Sequence, residues 1–287
     1  MNTSGLFTIH EYRIPFEKYG DTIYIIPFGD IHRSAPLCHE ENWLEWCDWA
    51  KGKRNAYFLG MGDFDDLVST SEREGLRGAR LHDSTIQTIE DTYRKFTDRL
   101  IKEIAFMKNR TIGLLEGNHY GQFQNGTTTT QRMCESLNCK YLGCSAFIRI
   151  ILECSSKHNI THAVDIWAHH GLGAARLVGG SLNRVQQLAE IAEFDIGLMG
   201  HDHKKSVAIV NRLKLTGGNG SLNLSHRKVV LARTGSFLRG YVPGAVSYVA
   251  DRSLNPTDLG TIKLEITPRR SRAGGRDKAE VDIHCSV

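Results

Sequence analysis

Five short groups of metal-binding residue types are spread along this chain: Asp30 and His32 in GDIH, Asp63 and Asp66 in GDFDD, Asn118 and His119 in GNH, His169 and His170 ahead of a glycine, and His201 and His203 in GHDH. Imidazole and carboxylate suit Mn, Fe, Zn or Ni, and no cysteine lies within the groups, which argues against a closed thiolate zinc site. Open coordination positions imply catalysis. Two divalent cations would carry about four positive charges, of which Asp30 and Asp63 cancel two if the histidines bind as neutral ligands. The excess attracts phosphate. A cation pair roughly 3.5 to 4 Å apart lowers the pKa of a bound water and holds both the entering and leaving oxygens of an in-line displacement. Hydrolysis of a phosphate ester is therefore the reaction these residues predict.

Apolar runs precede all five groups. Ile23 to Phe28, Ala56 to Leu59, Thr111 to Leu115, Val164 to Ala168 and Ile196 to Met199 read as strands, so each group falls just past a strand's carboxyl end. That edge of an α/β sheet is where loops leave and ligands bind. Helices are predicted between the strands. Ile86, Ile89, Tyr93, Phe96, Leu100 and Ile104 recur at helical spacing, with Ser84 and Gln87 as a capping-box signature. Trp43, Trp46, Cys47 and Ala50 mark a second helix, and Leu182, Val185, Ala189 and Ala192 a third. Beyond His203, Lys228 to Ala232, Ala245 to Ala250 and Thr261 to Ile266 read as further strands.

In this order the motifs resemble the calcineurin-like metallophosphoesterase family, whose pattern runs DxH, GDxxD, GNH followed by an acid, a lone His, and GHxH. The likeness spans residues 30 to 203. It implies an α/β fold, a two-sheet β sandwich flanked by helices in four layers, α/β/β/α, of the metallo-dependent phosphatase type. It also implies two divalent metal ions, Mn first and Fe, Zn or Ni as alternatives. Asp30, His32, Asp63 and His203 would hold one ion, and Asp63 would bridge to a second held by Asn118, His170 and His201. A metal-bridging hydroxide would attack the phosphorus, with His119 as general acid or stabiliser of phosphoryl charge.

Asp66 and His169 are expected to support the ligands without binding metal themselves. Of the adjacent pair, only one is expected to reach the metal, because successive strand residues point to opposite faces, and the resemblance implies that it is His170, which precedes Gly171 as the family's ligand does. The chain departs from the family after GNH, where Tyr120 replaces the usual acid. Without that carboxylate the role of His119 could weaken, or its support could shift to Asp65 or Asp66.

Four residues are candidates for touching substrate. Arg33 directly follows the first motif, Arg176 lies in GLGAARLVGG after the fourth, Tyr120 follows GNH, and His82 sits after Arg77 and Arg80 in a polar stretch. Either arginine could hold a phosphate oxygen. The remaining histidines, His10, His39, His158, His162, His226 and His284, are read as surface or locally bonded residues.

The 287 residues, 40% hydrophobic, suit one large soluble domain, expected over 1–267 and followed by a charged, mobile tail over 268–287. A net charge of +4 neither requires nor excludes nucleic acid as a partner, and oligomeric state is not legible. No apolar run is long enough to span a bilayer and the amino terminus lacks a signal-peptide pattern, so a cytoplasmic protein without membrane attachment is expected. Seven cysteines without a CxxC pair read as reduced thiols. Three functions fit: a phosphoesterase on small esters, a phosphodiesterase or nuclease on DNA or RNA, and a non-catalytic scaffold that keeps the fold.

Overall fold

The computed structural model describes residues 5, 7–156, 161–173, 175–218, 220–273 and 276–287. The first half runs β1 (Thr8–Phe16), β2 (Ile23–Phe28), α1 (Glu40–Lys51), β3 (Ala56–Gly60), α2 (Thr70–Gly78), α3 (Asp83–Glu103), β4 (Thr111–Leu114), α4 (Thr129–Leu137) and β5 (Lys140–Tyr141). The second half runs β6 (Ser145–Cys154), β7 (Thr161–His169), α5 (Val178–Ile191), β8 (Ile196–Met199), β9 (Lys205–Gly218), β10 (Ser221–Ser236), α6 (Tyr248–Asp251), β11 (Gly260–Thr261), β12 (Lys263–Ala273) and β13 (Arg276–Ser286). One sheet has the order β1-β6-β7-β8-β10-β11, with β9 paired to β10, and the other has the order β13-β12-β2-β3-β4-β5.

The strand period of two builds the layers. In β2, Ile23 and Ile25 face the other sheet, joining Ile148, Ile150, Leu198 and Val230, whereas Ile26 and Phe28 face a helix layer with Trp43, Leu100 and Met133. β10 divides likewise, with Val230 and Ala232 in the inter-sheet core and Val229 and Leu231 against Val185 and Leu188 of α5. Strands buried on both faces read as continuous apolar runs, and that burial explains their composition. The result is a sandwich of two sheets flanked by helices, in four layers.

Two local expectations change. The signature at Ser84 caps nothing, because the N-cap of α3 lies two residues earlier, at His82, which makes no side-chain cap bond. Reciprocal capping boxes occur instead at Ser69 with Glu72 and at Thr128 with Gln131. Residues 245–250 do not form a strand; the short helix α6 occupies part of that stretch.

The stretch expected as a mobile tail is largely structured. β13 pairs antiparallel with β12 from Lys263–Ser286 to Ala273–Arg276, and β12 continues onto β2. Ile283 on β13 is buried in the inter-sheet core, with Val281 and Cys285 packed against it. Alternating apolar residues anchor the strand although its neighbours are charged. All seven cysteines are free thiols, and no helix among the described residues is long and apolar enough to cross a membrane.

Candidate metal centre

Each ligand-type group leaves the end of its own strand. Asp30 and His32 follow β2, Asp63 and Asp66 follow β3, Asn118 and His119 follow β4, His170 follows β7, and His201 and His203 follow β8. Parallel neighbours in each sheet point these ends the same way, and the sandwich brings the two rows of loops together. Candidate ligand atoms of Asp30, His32 and His203 lie within 4.8 Å of one another, as do those of Asp63, His170 and His201, and those of His32, Asp66 and His119.

Asp63 joins the first two groups. Its Oδ1 accepts from the backbone N–H groups of Asn118 at 2.7 Å and His119 at 2.9 Å. Its Oδ2 lies 3.8 Å from His32 Nε2 on one side and 3.3 Å from His170 Nε2 on the other. Asn118 Oδ1 sits 3.0 Å from His170 Nε2 and 2.9 Å from His201 Nδ1. His32 Nε2 and His203 Nε2 face each other at 3.2 Å.

These residues suit divalent cations on the geometry of the chain itself. Asp30 is fully buried, and while its Oδ2 accepts from His201 N–H at 2.8 Å, its Oδ1 has no hydrogen-bond partner. An orphaned buried carboxylate oxygen is costly unless a cation satisfies it. His170 Nδ1 donates to the Met61 carbonyl at 2.8 Å, which leaves Nε2 free to coordinate. Burial and the charge of neighbouring groups disturb the ionisation of this cluster. Burial raises the Asp30 carboxyl to about 7, opposed chiefly by the charge on His170. Burial acts to raise Asp63 as well, but the hydrogen bond and charge of His170 outweigh it and hold the carboxyl well below the usual range. His203 is pushed well below the ordinary imidazole value by burial, in keeping with a neutral ligand.

The backbone here is strained. Among the nine described non-glycine residues with left-handed φ are Asp30, His32, Asp63, His201 and His203, at 45°, 49°, 47°, 73° and 60°. Such conformations cost on the order of 1 kcal/mol each and persist where the surroundings enforce them. Two glycines provide the necessary room. A Cβ on Gly117 would fall 2.0 Å from Asp63 Oδ1, and one on Gly62, whose φ is +94°, would fall 2.6 Å from His170 Nδ1.

His119 lies at the rim of the cluster, its ring edge-on to His32 at 4.9 Å between centroids. Its Nδ1 is 2.6 Å from Asp66 Oδ1, and Asp66 also lies 3.5 Å from His32 Nδ1. The hydrogen bonds to His119 and then His32 hold the Asp66 carboxyl well below the usual carboxylate range. Of the two carboxylates considered for supporting His119, Asp66 is therefore the one in contact with its ring. Asp65, the other alternative, is buried and raised to about 6 by that burial, with Arg99 at 3.8 Å. Of the adjacent histidines, His170 enters the cluster and His169 turns away, its Nδ1 accepting from Gly171 N–H at 2.7 Å.

Three of the four substrate candidates are placed elsewhere. Arg33 is buried and committed to Glu103 at 2.9 Å and Glu40 at 2.5 Å, so it ties the first loop to α3 and α1 and is not offered to a ligand. Arg176 donates to the Arg252 carbonyl at 3.2 Å and does not line the cavity over the ligand cluster. His82 is the exposed N-cap of α3 and is also outside that cavity. Tyr120 borders a small space beside Asp63 and His119, but its ring is covered by the Arg73 guanidinium at 3.8 Å. Among the histidines set aside, His10 bonds the Ile112 carbonyl, His39 caps α1, and His162 meets the Tyr19 hydroxyl; His158 lies outside the described residues.

Two positioning arginines carried no signal in the sequence. Arg73 is buried, and its Nη1 lies 2.7, 2.8 and 3.0 Å from the carbonyl oxygens of Val68, Asn118 and Tyr120, clamping the GNH loop to α2. Arg233, fully buried on β10, donates to the Gly200 carbonyl at 2.7 Å and the Ser181 carbonyl at 3.0 Å, with Asp202 at 3.5 Å. It fixes the GHDH loop from behind.

No protein-family model matches this chain, and no curated protein matches it. Among solved structures it is similar to one of Vacuolar Protein Sorting 29 from Cryptosporidium parvum, with a TM-score of 0.33 and 14% identity over 94% of this chain and 100% of that one. That likeness is too weak to bear on what this chain does.

Proposed function

We propose that the chain is a binuclear-metal phosphoesterase. The observation that carries this reading is Asp63 Oδ2, held between His32 Nε2 and His170 Nε2 while Oδ1 is fixed by two backbone N–H groups. That arrangement suits a carboxylate shared by two cations. Asp30, His32, Asp63 and His203 would hold one ion, and Asp63, Asn118, His170 and His201 the other. Nitrogen and oxygen donors of this kind accept Mn, Fe, Zn or Ni by availability as much as by affinity, and Mn is the first choice here. When bound, such a pair supplies a water of lowered pKa and positive charge for the phosphoryl oxygens.

The protein's own groups then set direction and proton flow. With Asp66 accepting from Nδ1–H, a protonated His119 carries its other proton on Nε2, the nitrogen left to meet substrate. It would pass that proton to the ester oxygen as the bond from phosphorus to that oxygen breaks and a new bond to the water oxygen forms. Asp66 keeps the ring oriented and supports its positive charge.

The test is metal-dependent hydrolysis of p-nitrophenyl phosphate and bis(p-nitrophenyl) phosphate by the full chain, compared with Asp63→Ala and His119→Ala. Both variants should lose most turnover while circular dichroism shows them folded. Unchanged turnover in both would refute the site.

A further inference from the structure

The cavity that contains His32, Asp63, His119 and His203 has another wall that phosphoryl chemistry does not use. It is lined by Val178, Leu238, Val249, Leu254 and Pro256, and its volume is about 680 Å³. That size is typical of a pocket enclosing one small molecule. The wall is held in place: the Tyr241 hydroxyl donates to the Leu254 carbonyl at 2.7 Å, Leu254 N–H donates to the Val249 carbonyl at 2.9 Å, and Lys205 pairs with Asp258 at 3.0 Å.

The cations around it are already engaged. Lys204 Nζ donates to the Ala175 carbonyl at 2.7 Å and lies 3.8 Å from Asp202, and Lys205 holds Asp258. Arg33 and Arg176, the arginines nearest to the motifs in sequence, are bound to Glu103 and to the Arg252 carbonyl. No Phe, Tyr or Trp lines this cavity among the described residues. A polynucleotide is held by several lysine or arginine contacts to phosphates and by bases stacked on aromatic rings. This cavity offers two lysines, both already paired, and no such ring.

We infer that the site takes an ester with a single phosphoryl group and a compact apolar organic part, a short alkyl or aryl group seated against Val178, Val249 and Leu254. This substrate class rests on the phosphoesterase reading above. The metal ligands would take the phosphoryl group, and the apolar wall would select what is attached to it.

The Mn-loaded full chain is titrated calorimetrically with methyl-, hexyl- and phenylphosphonate and with a ten-residue oligothymidylate. Hexyl- and phenylphosphonate should bind roughly tenfold or more tightly than methylphosphonate, with a negative heat-capacity change, because each apolar group leaves water. Leu254→Ser and, separately, Val178→Ser on the partly exposed start of α5 should each narrow that gap several-fold. The oligonucleotide should bind no better than methylphosphonate. Equal affinity across the phosphonates, or tighter oligonucleotide binding that salt weakens steeply, overturns the inference. Hydrolysis of the two p-nitrophenyl esters, followed in parallel, separates the two readings. Turnover with a flat phosphonate series removes the substrate class alone, whereas no turnover by the loaded protein removes the phosphoesterase reading and this inference with it.

Discussion

Asp66 Oδ1 lies 2.6 Å from His119 Nδ1, joining the second motif to the third at the rim of the ligand cluster. The contact gives His119 a fixed tautomer and an anionic partner although Tyr120, and not an acid, follows it in the chain. Replacing Asp66 with Asn keeps the shape and removes the charge. Steady-state kinetics on p-nitrophenyl phosphate or its diester should show kcat falling roughly 10- to 100-fold, with His119→Ala costing about 100-fold or more. The double variant should be little worse than His119→Ala alone, since the two act as one unit. Fully additive losses would show that Asp66 works independently of the ring.

Metal removal should destabilise the fold. Asp30 Oδ1, buried without a partner, and the crowded imidazoles of His32 and His203 are relieved when cations bind. A cation at about a hundredfold excess over its Kd contributes about 2.7 kcal/mol, so adding Mn to chelator-treated protein should raise Tm by about 5 °C. Asp30→Asn should abolish most of the rise. Elemental analysis of protein purified without chelator identifies the resident ion.

The metal-free protein should lose stability as pH rises above neutrality. Burial, opposed chiefly by His170, raises folded Asp30 from 3.8 to about 7. Burial alone would lower His170, but the hydrogen bond and charge of Asp63 outweigh it and raise the imidazole from 6.5 to about 9. Both folded values exceed the unfolded ones, so the folded state holds extra protons and their contribution disappears as pH climbs through these ranges. His201 and His203, lowered by burial, act in the opposite sense below neutral pH, so the decline should appear in thermal melting of chelator-treated protein from pH 7 to pH 10. Metal binding must displace the same protons, so Mn affinity should increase over this interval.

Arg73→Ala should act on both fold and site. It removes a buried guanidinium from three carbonyl oxygens and from the Tyr120 face, a loss of about 2 kcal/mol or more in denaturant unfolding. Freed from its clamp, the loop carrying Asn118 and His119 should also bind metal less tightly. Arg73→Lys keeps the charge but not the fork and should recover only part of the loss.

Arg33→Ala separates structure from substrate recognition. Breaking the buried pair with Glu103 should cost about 3 kcal/mol in stability. KM for p-nitrophenyl phosphate should stay within about twofold at a temperature where the variant is folded. A KM rise of tenfold or more would return Arg33 to the role its position in sequence suggests.

Much of the site was legible because each part of it is local. A strand, a glycine and one or two ligand-type residues lie within a few positions in GDIH, GDFDD, GNH and GHDH, and the alternation of successive residues at the end of β7 allows only one of His169 and His170 to enter the cluster. The role of Arg33 was not legible, since its partner Glu103 is seventy positions away on α3. Arg73 and Arg233 look like surface arginines in sequence; only burial shows that they hold loop carbonyls. The last strand was hidden by its charges, although Val281, Ile283 and Cys285 alternate as a half-buried strand should.

The sequence by itself determined which atoms can bind a cation and that rigid strands precede them, because side-chain chemistry and period-two burial are properties of neighbouring residues. Only the tertiary structure decided which residue supports His119, which arginines are withdrawn from the ligand, and what wall the cavity presents. Those outcomes depend on how two sheets and their loops pack, which brings together groups that no local pattern relates.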